Sequence, residues 1–600
     1  MPDLNRFKTM LLICSTLLLL SLAGSALASD APGPAPAWVQ RSNEIAYDIL
    51  KSRARFQPEF ASQSGVEGFD AEIYDLRENR HERQMANFKA NLATLNELLA
   101  EEKDPRVKQD IEIMLKDTRD NIEASRIQYE RVLPYGNLTG LIFAGFKGLL
   151  DKQVPLRRQQ AALVRLKKYT GQAEGYEPLT ESAKRLLTER AEVPGIIEPF
   201  VGEVKQDLER APIMTAGLKK LFAATRLEGY EDDLDLLTQQ LTRYNEWVRA
   251  NILPNTRPSA VLPRELYELQ LKQYGVEDSP EALMRTGEVA FMNIRNEMMA
   301  LAPLVAKQKG YETTDYREVI KLLKKEQVHG DKLMAAYRGV LQQIDGIIER
   351  EGLISLPAEP ARVRMATAAE TAQQPAAHLD VPRMIGNTGE FPEFIVPKIE
   401  QKADGSWPQS DYAYPAMMWT LAAHEARPGH EMQFTTMLRT GVSTARMLFA
   451  FNSANVEGWA LYAEAITKPY MPLAGQLMSL DDRMLRAARI WLDPMLNLGL
   501  ISAQDAKRVL MEDVVLDDNN AQTEIDRYTF RSPGQATAYY YGYENLQALR
   551  ARTEMRLKER FNQREYHDFL LSQGLLPPEL LAKAVDEEFV APRLAANEPR

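Results

Sequence analysis

The chain has 600 residues and a formal net charge of −11, with acidic and basic residues interspersed throughout. That balance argues against a nucleic-acid binder, which needs a concentrated basic surface. The length allows a large core, in one lobe or two.

In chain order, residues 1–28 read as a secretory signal peptide. Arg6 and Lys8 give the positive start, 10–22 is the apolar run, and Ala26-Leu27-Ala28 fits a small-residue cleavage pattern. A retained anchor is the alternative, but the run falls short of the roughly 20 residues that a span needs. The stretch Leu22-Ala23-Gly24-Ser25 resembles a lipoprotein signal, with Ser25 where the lipid-carrying cysteine has to stand. The single cysteine, Cys14, is lost with this segment, so the processed chain has no disulfide and no thiolate ligand or nucleophile. The expectation is a periplasmic or secreted protein without stable membrane insertion; the oligomeric state is left open.

Residues 30–36 form a Pro/Ala linker; from Ala37 onward the pattern is helical, with segments over 77–102, 104–134, 153–170, 179–190, 196–225, 232–253, 259–275, 279–309 and 331–351. An interruption is expected near Pro212, and Thr314-Asp315 is placed to cap a helix. The texture changes at Leu356. Alternation at 362–366 and the apolar run at 393–399 predict two short strands or an ordered loop. Helical patterning resumes at Pro415 and continues to the end, with Pro533-Gly534 and Gly542 read as loop punctuation. The expected architecture is mainly α, with a helical N-terminal lobe over 29–355 and a catalytic lobe over 356–600 forming one continuous unit.

Chemistry concentrates at His424-Glu425-Ala426-Arg427-Pro428-Gly429-His430. The other four histidines, His81, His329, His378 and His567, are scattered singly. Histidines four apart share a helix face; six apart, in an unbroken helix, they diverge by about 120° and cannot reach one ion. Pro428 removes a backbone donor and crowds the preceding turn, and Gly429 frees the backbone. The pair predicts a helix break that returns His430 to His424. Two imidazoles and one carboxylate then suit a zinc ion with an open position, and Glu425 is placed to act as general base. Ordinary hydrogen-bonded core histidines are the alternative. Glu457 is the candidate third ligand, on a helix running 456–467 where Glu464 shares its face. A buried structural ion pair is the alternative for Glu457; Glu464 suits orientation of a ligand histidine, with an ordinary structural ion pair as its alternative.

Together these residues resemble the bacterial domain-of-unknown-function 885 family, grouped with gluzincin-type zinc peptidases. The match runs through His424-Glu425-x-x-Pro428-Gly429-His430 with Gln433, Glu457-Gly-Trp-Ala-Leu-Tyr-Ala-Glu464, and Arg489 to Asp493. It continues through Arg527-Tyr528, Pro533-Gly534-Gln535 with Tyr539, and His567-Asp568. The resemblance implies a multi-helix fold with a deep cleft, like gluzincin carboxypeptidases and oligopeptidases. It implies one zinc at His424, His430 and Glu457, Glu425 as base, and peptide substrates. It also directs attention to Tyr539 as an oxyanion donor, with Tyr540 and Tyr541 as alternatives. Arg527 or Arg550 is a candidate for holding a substrate carboxylate, against simple structural pairing. One departure stands out: Asn497 occupies the place of a family histidine, either donating an amide hydrogen bond in its stead or altering activity. Hydrolysis of a non-peptide amide or ester, and a helical binding protein with a vestigial site, are the competing functions.

Overall fold

The computed structural model describes residues 36–595 apart from Pro375 and Thr388; the expected signal segment and all but the last residue of the linker lie outside the described residues. The protein is mainly helical. Caps set several helix starts. Asp104 accepts from the Arg106 amide to open Pro105–Arg131, Ser279 accepts from Ala282 to open Pro280–Lys309, and Asp315 opens Tyr316–Leu323. Among the described residues no helix is long and apolar enough to cross a membrane.

One expectation about the helices fails. The helix Val201–Ala223 runs unbroken through Pro212. The proline sits on the exposed face, where water can serve the carbonyl left without its amide, while Leu208, Ala211, Met214 and Leu218 hold the other face in the core. The helix Leu138–Leu149 lies between the individual helical segments delimited from the sequence. Its Leu138, Ile142, Phe143, Phe146 and Leu149 are buried in the core.

A small sheet precedes the histidine motif. Strand β1 (Arg362–Met365) pairs parallel with β3 (Glu393–Val396), and β2 (His378–Asp380), which was not foreseen, pairs antiparallel on its other side. The whole of β3 is buried.

The largest apolar core takes side chains from Ile45 to Val590, on both sides of residue 355, while a second core lies within residues 73–252. The long helices Pro280–Lys309 and Leu473–Asn497 pack closely, and a Cβ at Gly287 would lie 2.5 Å from Ile490 Cγ2. Helices Ser453–Thr467 and Thr537–Leu557 cross where Gly458 meets Gly542: a Cβ on Gly542 would fall 1.8 Å from the Ala454 carbonyl oxygen. Gly542 therefore permits a helix crossing and is no part of a loop.

Candidate metal centre

The helix Pro415–Leu421 begins with proline at its first position and passes into a π-turn, Ala422–Ala426. The Arg427 amide donates to the Ala422 carbonyl, five residues back, at 3.0 Å. Arg427 is then extended, the Arg427–Pro428 bond is cis, and a new helix starts at His430. The chain thus breaks where the spacing requires. Gly429 is needed for a different reason from the one expected. Its φ is −77°, and what excludes a side chain is contact: a Cβ would lie 1.8 Å from the His424 carbonyl oxygen.

The break brings the imidazoles of His424 and His430 to 4.9 Å between centroids, nearly perpendicular. Glu457, on the helix Ser453–Thr467, places Oε2 at 3.3 Å from His430 Nε2 and 3.6 Å from His424 Nε2. Ligand-capable atoms of the three residues lie within 4.8 Å of one another. His424 Nδ1 is 2.7 Å from Glu464 Oε1, and Thr420 donates to the other Glu464 oxygen at 2.8 Å. A carboxylate can only accept, so this contact places a proton on Nδ1 and leaves Nε2 of the neutral ring as a lone pair facing Glu457. Two imidazole nitrogens turned on one carboxylate oxygen is an arrangement that a divalent cation satisfies, and the donor set suits zinc.

The carboxylates of Glu457 and Glu464 also favour positive charge on His424. Burial opposes charge on His424, yet contacts with Glu457 and Glu464 push its pKa well above the usual value. Burial likewise opposes charge on Glu457, but the two histidines hold its carboxyl well below the ordinary range. Glu425, beside the first histidine, is buried; desolvation pushes its carboxyl up, while His424, His430 and His378 of β2 pull it down. The carboxylates of Glu457 and Glu464 thus draw positive charge to this centre.

Supporting residues escaped the sequence reading. Trp459 Nε1 donates to the Pro428 carbonyl at 3.0 Å and lies 3.3 Å from that of Gly429. Arg427, itself buried, pairs with Glu431 at 2.8 Å and reaches the Glu359 carbonyl. Thr420, four residues before His424, is visible as a pattern only once Glu464 is known to sit opposite.

Tyr539 lies in the first turn of Thr537–Leu557, not in the preceding loop, and its ring stacks on His424 at 6.3 Å with 17° between planes. Its hydroxyl accepts from Arg527 at 3.2 Å, leaving the hydroxyl proton free to donate elsewhere. Tyr540 packs on Tyr543, 5.5 Å between centroids. Arg550 is taken up by Glu554, Tyr462 and Gln563. Asn497 is not placed to replace a catalytic histidine. Its amide nitrogen donates to the Asp493 carbonyl and side chain and to the Tyr528 carbonyl at 2.9–3.0 Å, which uses up its hydrogens.

The pattern of the family described as "Bacterial protein of unknown function (DUF885)" matches residues 58–585. The chain belongs to this family. No curated protein matches it. Among solved structures, a "putative lipoprotein" from Colwellia psychrerythraea superposes with a TM-score of 0.75 at 17% identity, over 92% of this chain and 98% of that one. A "putative lipoprotein of unknown function" from Shewanella oneidensis gives 0.69 at 18% identity, over 92% and 100%. These likenesses establish a shared fold. A "putative oligoendopeptidase F" from Bacillus anthracis, at 12% identity over 88% and 98% of the two chains, gives only 0.28, too low to relate the folds.

Proposed function

We propose that this member of the family is a zinc-dependent peptidase of the cell envelope, gluzincin-like in its site. The observation that carries the reading is the convergence of His424, His430 and Glu457 with Glu425 beside them. A bound zinc ion would polarise the scissile carbonyl and make water acidic enough to attack near neutral pH. Glu425, with its raised pKa, accepts the proton of the attacking water and returns it to the leaving amine. Tyr539 offers its free hydroxyl proton as a hydrogen bond to the oxyanion that develops on the carbonyl oxygen as the water attacks the carbon. Glu464 and Thr420 fix the His424 tautomer. An envelope location is supported by the names of the two structural relatives and by the signal-like residues at the N-terminus.

Glu425→Gln is the direct test. The variant is expected to hold about one zinc per chain, as the wild type does, and to lose hydrolysis of a mixed peptide library. Full hydrolysis by the variant removes Glu425 from its role, and a wild type that takes up no zinc removes the reading altogether.

A further inference from the structure

Three buried or half-buried arginines surround Tyr539, and their counter-charges do not match them. Arg486 pairs with Asp482. Arg489, over the Tyr539 ring at 4.4 Å, binds both oxygens of Glu524 at 2.7 and 2.8 Å, and Glu524 also accepts from the Tyr528 hydroxyl at 2.8 Å. Arg527 is left over. Its nearest carboxylate oxygen is that same Glu524, 3.5 Å from Nε; its Nη1 donates to the neutral oxygens of Gln535 and Tyr539, both at 3.2 Å. Its Nη2 has no acceptor among the described residues, and 21% of the side chain is exposed. Asp493 gives little counter-charge. It is filled with donors from Gly534, Tyr267 and Asn497, and burial pushes its carboxyl up to about 8. A second, independent orphan lies beside it: Arg489 Nη1 is buried without a partner.

A guanidinium without its own carboxylate, on a partly desolvated wall, is costly unless an anion meets it. This one opens a π-turn, Arg527–Arg531, and reaches the tyrosine that stacks on His424. One phenol ring therefore separates surplus positive charge from the metal centre. The linking contacts, 3.2 Å from Nη1 to the Tyr539 hydroxyl and 6.3 Å between the Tyr539 and His424 rings, leave room for only a short C-terminal segment, at about 3.3–3.6 Å per extended residue.

We infer that Arg527 receives the C-terminal carboxylate of the substrate, so that the enzyme removes one or two residues from the free C-terminus of a peptide. The inference rests on the peptidase reading. The carboxylate accepts from Nη2, and Tyr539 keeps the guanidinium oriented through Nη1.

The test compares an alanine pentapeptide with a free C-terminal acid and the same peptide with a C-terminal amide. With zinc-loaded wild type, mass spectrometry is expected to show one or two residues leaving the acid, and kcat/KM for the amide to be lower by about tenfold or more, as loss of a charge-assisted hydrogen bond implies. Binding is read separately by calorimetry on zinc-loaded Glu425→Gln. The acid is expected to bind about tenfold tighter than the amide, with Arg527→Gln in that background abolishing the preference and Arg527→Lys retaining part of it. Equal kcat/KM for acid and amide, or internal cleavage, overturns the anchor and leaves the peptidase reading standing. No cleavage of any peptide alongside acid-selective binding overturns the peptidase reading and leaves Arg527 as a carboxylate site. The wild-type comparison needs no variant to fold.

Discussion

Gly429→Ala isolates the turn between the two histidines. The added Cβ would lie 1.8 Å from the His424 carbonyl oxygen and 2.5 Å from that of Ala423, against an ordinary contact of at least 3.4 Å. Both oxygens are main chain, so no side-chain rotation relieves the overlap. The backbone has to open by about 1.5 Å on this geometry, and it carries His424 on one side and His430 on the other. Zinc tolerates donors only near 2.0–2.2 Å, so the variant is expected to bind zinc at least about tenfold more weakly. It is expected to lose about a hundredfold in kcat/KM, the usual consequence of a 1 Å misplacement. Overpacking also costs about 1–3 kcal/mol of stability, read from urea unfolding. Gly287→Ala is the control. Its Cβ meets Ile490 Cγ2 at 2.5 Å in a helix interface formed by Pro280–Lys309 and Leu473–Asn497, so it should lose comparable stability and keep zinc affinity. Wild-type zinc affinity in Gly429→Ala would refute the steric account of the motif.

Three further outcomes are expected. Glu464→Gln keeps an acceptor for His424 Nδ1 but removes its charge, so zinc affinity in competition with a chelating dye should fall about 10–100-fold; no change would make Glu464 a purely structural partner. Tyr539→Phe keeps the ring on His424 and loses the hydroxyl, so kcat should fall about 10²–10³-fold with KM nearly unchanged, and a loss under threefold would remove the oxyanion role. His567 accepts from the Tyr462 hydroxyl at Nε2 and donates from Nδ1 to the Leu353 carbonyl, both at 2.7 Å; burial pushes its pKa down from 6.5 to about 4. The neutral ring is the folded form, so its stabilisation is complete above pH 6.5 and is lost as pH falls to about 4. The loss amounts to about 3 kcal/mol in unfolding free energy, and a His567→Gln variant should lack that portion of the pH dependence.

The candidate site was legible in the sequence where its grouping depends on residue type within one short stretch. His424, Glu425, His430, Glu457 and Glu464 can be read that way because two helical segments carry them at fixed spacing. What could not be read depends on partners far along the chain. β2 has three residues, and only pairing with β3 makes it a strand. Asn497 looked like a replacement for a catalytic side chain, but its hydrogens go to Asp493 and to the Tyr528 carbonyl, 31 residues away. Gly542 looked like a loop residue because a glycine whose purpose is a helix crossing carries no local mark. The excess of charge at Arg527 emerges only when Glu524 is seen to serve Arg489 first.

The six-residue spacing of the histidines also explains why the second motif has its composition. A helix that stops at Ala426 and restarts at His430 leaves main-chain carbonyls without intrahelical donors, in a place too buried for water to serve all of them. Trp459 supplies the missing donor to the Pro428 carbonyl and approaches that of Gly429. It stands two residues after Glu457 and five before Glu464. One helix, Ser453–Thr467, thus provides the candidate third ligand, the donor that holds the break between the first two, and the carboxylate that sets the tautomer of His424. Its own position is set by the contact of Gly458 with Gly542, which also delivers Tyr539, three residues earlier on the partner helix, to the face of His424. A change in that crossing would move ligand, support and hydroxyl together, so the close packing of two glycines belongs to the geometry of the centre as much as the histidines do.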